Sequence, residues 1–451
     1  MPKSRSQFIC QKCGASYQKW TGKCENCGEW NSLVEEVSAA VSGASAIARS
    51  ASRGKVLPAQ TMRSIESGEK QQRLSTGIGD IDDVLGGGIL PGGVTLLAGQ
   101  PGIGKSTLLL QIAARVADNS SVLYVSGEES AHQVKLRAER LGADNQDELS
   151  FVASTSADDI AATIKAGKHQ LVIVDSIQTL SLEEIASAPG TVSQITNSAN
   201  VVIRAAKATG AAVILVGHVT KEGSIAGPKV LEHLVDVVLQ FEGDRYGGFK
   251  MVRAVKNRYG STSEVAIFEM KESGLELVEN PSASLLSERQ DADGSVVLAT
   301  MEGTRPLLVE IQALVGATSF GYPKRTASGF DLNRLNLLIA VLERRTKLSL
   351  SDKDVYINVV GGLKLTDPAA DLAICMAIAS AAAERQLDSQ TVVFGEVGLG
   401  GEVRSARQTQ RRIDEAKKLG FKKALAPKGS HKTSFISDVT NLRNVLIDYL
   451  K

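Results

Sequence analysis

The run Gly99-Gln100-Pro101-Gly102-Ile103-Gly104-Lys105-Ser106-Thr107 fills the phosphate-loop pattern G-x4-G-K-[ST] without a gap. It constrains the fold tightly, because its chemistry works only between a buried strand and the start of a helix. The flanking residues meet that demand: Val94 to Ala98 is an apolar run of strand type, and Lys105 to Ala117 has helical periodicity. In that setting the glycines let backbone amides wrap a polyphosphate, and the helix N-terminus adds favourable partial charge. Lys105 is then expected to reach the β and γ phosphates of ATP or ADP, and Ser106 to hold magnesium through its hydroxyl.

Further strand-like runs, Val122 to Ser126, Phe151 to Ala153, Leu171 to Val174 and Ala212 to Gly217, alternate with helical stretches Ala131 to Leu141 and Thr191 to Thr209. This alternation predicts a mainly parallel α/β sheet with helices on both faces. Val235 to Glu242, Phe249 to Lys256 and Val265 to Met270 read as more strands, expected antiparallel at one side. A chain of 451 residues exceeds one ordinary core. We divide it into residues 1–33, a linker at 34–60 rich in small residues, an ATPase core at 61–278 and a last module at 279–451. The last module mixes strands near Val296, Leu307, Tyr356 and Val392 with helices Leu332 to Arg345, Pro368 to Ala383 and Gln408 to Leu419, which reads as α+β. Asn280 to Arg289 reads as a polar connection, and Cys375 as packing on an apolar helix face.

Four of the five cysteines fall at Cys10, Cys13, Cys24 and Cys27, two C-x2-C knuckles. Four thiolates so spaced close tetrahedrally around structural zinc, and a module this small needs the metal to fold. Tyr17, Trp20 and Trp30 are expected to pack around it, with stacking on nucleic acid as the alternative. The formal net charge is +1, so a nucleic-acid site must be a local patch. The N-terminal residues lack an apolar signal core and no run is long enough to span a bilayer, so we expect no membrane partner and a cytoplasmic location.

Leu171 to Asp175 is an apolar strand ending in a carboxylate, so Asp175 joins Ser106 as a candidate magnesium holder. Activating water needs a second carboxylate, and Glu128 and Glu129 follow the strand Val122 to Ser126; we take Glu128 as base with Glu129 supporting it. Glu129-Ser130 also reads simply as the start of a helix. In Lys256-Asn257-Arg258-Tyr259-Gly260, Lys256 and Arg258 can stabilise charge on a neighbouring subunit's γ-phosphate if subunits form a ring. A solvated basic turn is the other reading.

Taken together, the four cysteines, the loop Gly99 to Thr107, Glu128-Glu129, Asp175-Ser176, Lys256 to Gly260 and the last module resemble the RadA (Sms) family of bacterial DNA-repair proteins, over essentially the whole chain. Tyr259 stands where that family usually has Phe. The resemblance implies a zinc ribbon, a RecA-like ATPase core and a Lon-protease-like domain. It further implies a nucleoid-associated, DNA-stimulated motor, a hexameric ring on single-stranded and branched DNA that drives branch migration alongside the RecA recombinase. By the same resemblance His218 stands where such motors sense the γ-phosphate, with simple core hydrogen bonding as the alternative. Thr220 to Val230 would face DNA, making Lys221 and Lys229 candidate phosphate contacts. Lon has its nucleophilic serine after a proline, where this chain has Pro368-Ala369, and counting along Gly395-Glu396-Val397 puts Gln410 at the lysine position. Both halves of a Ser-Lys dyad are therefore missing. Lys324, Arg325, Arg334, Arg344, Arg345 and Lys347 cluster around one helix and are candidates to line a DNA path, Arg344 and Arg345 above all. Two rivals stand beside this reading: a ring ATPase that binds protein partners and not DNA, and an ATP-dependent protease.

Overall fold

The computed structural model describes residues 5–38, 61, 72–218, 230–243, 248–318, 321–429 and 434–450. Lys221, Lys229 and most of the expected linker lie outside the described residues. The chain divides into two compact units, one of residues 1–241, 253–262 and 272–274, the other of residues 242–252, 263–271 and 275–451. No helix among the described residues is long and apolar enough to cross a membrane.

At the N-terminus three short strands, Arg5–Cys10, Ser16–Tyr17 and Leu33–Ser38, pair antiparallel with Arg5–Cys10 in the middle. The last of these runs past residue 33, into what composition reads as linker. Its buried core is Cys10, Cys24 and Leu33, too few apolar groups to offset the conformational entropy of ordering the segment.

The first unit's sheet follows from the apolar runs. In spatial order its parallel strands are Val237–Gly243, Val94–Gly99, Ala212–His218, Leu171–Asp175, Val122–Ser126 and Leu149–Ala153. Every residue of Val94–Gly99, Val122–Ser126 and Leu171–Asp175 is buried, as continuous apolar strands covered on both faces require. Val237–Gly243 pairs parallel with Val94–Gly99, and Lys250–Asn257 and Val265–Lys271 follow it in order at that side of the sheet. The helix Val192–Thr209 joins Leu171–Asp175 to Ala212–His218, and the helix Val230–Leu234 precedes Val237–Gly243. Caps fix the helix ends: Ser130 and Gln133 form a reciprocal capping box on Ala131–Arg140, and Thr191 caps Val192–Thr209, which ends at Gly210 with φ 77°. A further helix, Ala157–Ala166, starts at Ser156, whose side chain accepts from the Asp159 amide.

The second unit holds a mixed seven-stranded sheet, in order Arg325–Ser328, Lys353–Val359, Arg305–Ala317, Ser295–Glu302, Thr391–Val393, Lys423–Pro427 and Ile436–Val439. The helix Asp371–Ala383 is buried nearly all round, and Cys375 on it is fully buried. The expected polar connection at Asn280 to Arg289 contains a helix, Pro281–Leu286, because Asn280 caps it by accepting from the Ala283 amide and proline occupies its first turn.

Candidate nucleotide site and metal centre

The phosphate loop joins the strand Val94–Gly99 to the helix Lys105–Ala117, at the C-terminal edge of the parallel sheet where open α/β sheets bind ligands. Gly102 and Gly104 have φ of 78° and 115°, a backbone that residues with a Cβ rarely adopt. The Lys105 ammonium, 5% exposed as a residue, turns back onto the loop and donates to the carbonyls of Gly99 (2.9 Å) and Gln100 (3.0 Å) and to His218 Nδ1 (3.1 Å). With Nδ1 accepting, the His218 proton sits on Nε2, which lies 3.2 Å from Glu128 Oε1. The buried Ser176 hydroxyl donates to the same Oε1 over 2.5 Å. Lys105, His218, Glu128 and Ser176 thus form one continuous chain. The His218 and Ser176 donors hold the Glu128 carboxyl down at about 2 against its partial burial.

Glu129 has a different fate: Arg137 grips it with two nitrogens, at 2.6 and 2.5 Å, and its amide donates to Ser126 Oγ. Asp175 ends its strand buried, with Oδ2 accepting from the Tyr124 hydroxyl at 2.9 Å and its carbonyl accepting from the Gly127 amide at 2.8 Å. Its Oδ1 has no hydrogen-bond partner among the described residues, so an oxygen-only donor set of Asp175 and Ser106 fits a hard cation such as magnesium. Tyr124 and Arg137 are residues that sequence reasoning left out of the site, and Ser176 enters it only within the Asp175-Ser176 pair, without its bond to Glu128. A tyrosine inside the aliphatic strand Val122–Ser126 is the one sign that could have exposed the first.

Burial draws the Lys105 ammonium down to about 8. Polyphosphate favours the protonated amine, so in the nucleotide-free protein above that pH a proton must be taken up on binding. We therefore expect ATP and ADP affinity to be flat below about pH 7 and to weaken by up to about tenfold per unit above pH 8. Calorimetry at pH 9 in two buffers of different ionisation enthalpy checks the proton uptake; an affinity unchanged between pH 7 and 9 would refute it.

Lys256 and Arg258 are not at the phosphate loop. Lys256 Nζ donates to the carbonyls of Glu232 (2.5 Å) and Val235 (2.7 Å), closing the end of the helix Val230–Leu234. Arg258 bonds Asp236 Oδ1 at 3.0 Å, and Asp236 Oδ2 accepts from the Val94 amide at 3.1 Å. Val94 opens the strand that ends at Gly99, so this cluster stands about 17 Å from the phosphate loop of its own subunit at one strand's rise per residue. Asn257 bonds the Val84 carbonyl, and Gly260 has no alternative, since a Cβ there would lie 2.7 Å from Gly86 Cα. The motif is thus a tied-down structural element and not a loose basic turn.

In the ribbon the four sulfurs lie within 4.8 Å of one another, with Cys10–Cys27 at 3.6 Å and Cys13–Cys24 at 3.5 Å. A tetrahedron of thiolates at about 2.3 Å from zinc has edges of about 3.8 Å, so the cluster fits that ion. Hydroxyls of Tyr17 and Ser32 sit 3.3 Å from Cys24 Sγ and 3.2 Å from Cys10 Sγ, the outer contacts that hold metal-bound sulfurs in place. Trp20 and Trp30 are 55% and 69% exposed, against the expectation that they pack around the metal. Lys23 lies over the Trp30 ring instead.

In the second unit Ala369 is buried, while Gln410 is exposed and bonds Asp414 at 2.7 Å. Next to Ala369, Asp367 is engaged by the buried Arg412 at 2.7 Å, a guanidinium that stays protonated and cannot serve as a base. Arg344 and Arg345 are exposed at the end of Leu332–Thr346, and Arg345 donates to the Leu399 carbonyl. Arg334, another candidate for the DNA path, is paired with the buried Asp371.

Comparison with known proteins matches residues 8–35 to a rubredoxin metal-binding domain, 72–224 to an AAA domain and 336–430 to subunit ChlI of Mg-chelatase. The chain is 49% identical over 429 residues to the DNA repair protein RadA of Halalkalibacterium halodurans, covering 95% of this chain and 93% of that one. It is likewise 49% identical to the Bacillus subtilis protein of that name, with the same coverage, and 47% identical over 432 residues to the Pseudomonas aeruginosa protein, with 95% and 94% covered. Among solved structures, the RadB recombinase is 24% identical over 46% of this chain and 100% of its own, with a TM-score of 0.37. A KaiC-like protein from Pyrococcus horikoshii is 21% identical over 46% and 99%, with a TM-score of 0.38. With a metal-binding ribbon, an AAA domain and a ChlI-type region in that order, and 46–49% identity to full-length relatives of that name, the chain belongs to the RadA family of DNA repair proteins.

Proposed function

We propose that this protein is a DNA-stimulated ATPase motor that works as a ring, a hexamer by its family resemblance, on single-stranded and branched DNA. Its task is branch migration of recombination intermediates with the RecA recombinase, at the nucleoid. The observation that carries the reading is the chain Lys105–His218–Glu128–Ser176, because it links the phosphate-binding lysine to a water-activating carboxylate through a histidine two residues before Thr220 to Val230. An entering polyphosphate draws Lys105 from the loop carbonyls and from His218. His218 then turns to the γ-phosphate, and Glu128, losing a donor that lowers its basicity, accepts the proton of the attacking water. Ser106 and Asp175 would hold magnesium, which neutralises charge on the β and γ phosphates when bound.

The position of Lys256 and Arg258, about 17 Å from their own subunit's phosphate loop, favours action on a neighbour's nucleotide, for which Lys256 must release two carbonyls. Lys221, Lys229, Arg344 and Arg345 are the proposed DNA phosphate contacts, and the absence of a serine at 369 and a lysine at 410 favours a scaffold over a protease. The test is steady-state ATP hydrolysis by the zinc-loaded protein with and without single-stranded DNA. We expect at least about tenfold stimulation that fades with salt as phosphate contacts are screened. No stimulation by a folded, nucleotide-binding protein would transfer the reading to a ring ATPase with protein partners.

A further inference from the structure

Asp175 is 6% exposed, and one of its two carboxylate oxygens is already taken: the Tyr124 hydroxyl donates to Oδ2 over 2.9 Å. Tyr124 lies on the adjacent parallel strand, opposite Ile173 and two residues short of the Ser126–Asp175 pair. The phenol therefore leans along the sheet by two residues, about 7 Å, to reach the carboxylate. Among the described residues Asp175 is the hydroxyl's sole hydrogen-bond partner.

Packing alone does not explain a tyrosine here. The ring, 2% exposed, stacks on Phe151 with centroids 6.4 Å apart and planes 19° apart. A cavity of about 210 Å³, lined by Tyr124, Phe151, Leu110, Val134 and Ala138 among others, leaves it room to shift. Phenylalanine would bury the same ring without placing a polar atom in an apolar strand, where a hydroxyl is costly unless bonded. The bond to Asp175 is what the oxygen adds, and it fixes one carboxylate oxygen while leaving the other unengaged.

We propose that Tyr124 is a positioning residue for the magnesium–nucleotide complex, holding Asp175 in the rotamer that presents Oδ1 to the ion; this rests on the reading of Asp175 as a magnesium holder. A partner one bond removed from a metal is typically worth 10- to 100-fold in metal affinity or activity. In Tyr124→Phe we expect the free Mg2+ needed for half-maximal ATP hydrolysis to rise about tenfold, with turnover at saturating Mg2+ within about threefold of the parent. A readout independent of turnover is Mn2+ binding to the protein–ADP complex, followed by the paramagnetic resonance of free Mn2+. It should weaken by the same factor, while ADP affinity in EDTA is unchanged. Phe151→Leu disturbs the same ring stack without removing the hydroxyl and should leave both readouts alone.

Equal loss of activity at every Mg2+ concentration, unchanged Mn2+ affinity in Tyr124→Phe, or an equal shift in Phe151→Leu would each overturn the inference. Asp175→Asn separates the two levels. If it keeps parental metal dependence, the reading of Asp175 itself fails; if it loses it while Tyr124→Phe does not, only the role of Tyr124 falls.

Discussion

Glu128→Gln is expected to lower ATP turnover about a thousandfold, the range of a positioned general base, while ATP affinity stays within a few-fold. Ser176 and His218 both aim at Oε1 of Glu128, and Oε2 has no hydrogen-bond partner among the described residues, so one oxygen orients the group and the other is available for a proton. The substituted amide would keep a carbonyl oxygen for the two donors and lose the proton acceptor. Glu129→Gln is the matched control: both Glu129 oxygens are committed to Arg137, so its loss should loosen the start of the helix Ala131–Arg140 and cost less than about tenfold in turnover. Single-turnover hydrolysis beside binding of a fluorescent ATP analogue measures both. A larger loss in Glu129→Gln than in Glu128→Gln would exchange the two roles.

Zinc removal should unfold the ribbon and spare the ATPase core. A buried core of Cys10, Cys24 and Leu33 cannot hold three strands by burial, whereas structural zinc contributes about 10–16 kcal/mol in small ribbons and fingers at neutral pH. Both tryptophans of the chain, Trp20 and Trp30, are in the ribbon, so intrinsic tryptophan fluorescence reports on that module alone. With chelator, or in Cys24→Ser, we expect a fluorescence change and loss of amide-exchange protection over Arg5–Cys10. Protection of Val94–Gly99 and DNA-free ATP hydrolysis should stay within about twofold. A ribbon that keeps its protection without metal would contradict the account.

Where chemistry and structure are local in the chain, the sequence was a sound guide. The helix Lys105–Ala117 falls on its expected residues and the strand Val94–Gly99 differs by one residue from expectation, because the phosphate loop brings its strand and helix with it. The two C-x2-C knuckles close on themselves for the same reason. The misses share a cause. Lys105 and His218 are 113 residues apart, and Tyr124 and Asp175 are 51 apart. They meet only because Ala212–His218 lies beside Val94–Gly99 and Val122–Ser126 beside Leu171–Asp175. The pairing of Val237–Gly243 with Val94–Gly99, strands remote in the chain, is likewise set by strand order and not by local pattern. Trp20 and Trp30 illustrate the limit in the other direction: an apolar side chain invites a prediction of burial, but the ribbon has too little interior to cover them.

By itself the sequence determined the phosphate-loop motif, the pairing of four cysteines in two C-x2-C knuckles and the alternation of strands and helices, since residue identity and short spacing carry these directly. Only the tertiary structure decided which glutamate is oriented by Ser176 and His218, that Tyr124 holds Asp175, and that Lys256 and Arg258 sit at the far end of the strand from their own phosphate loop. Those are contacts between strands remote in the chain. Strand order comes from burying the apolar faces of the whole sheet together, a global balance that no local pattern encodes.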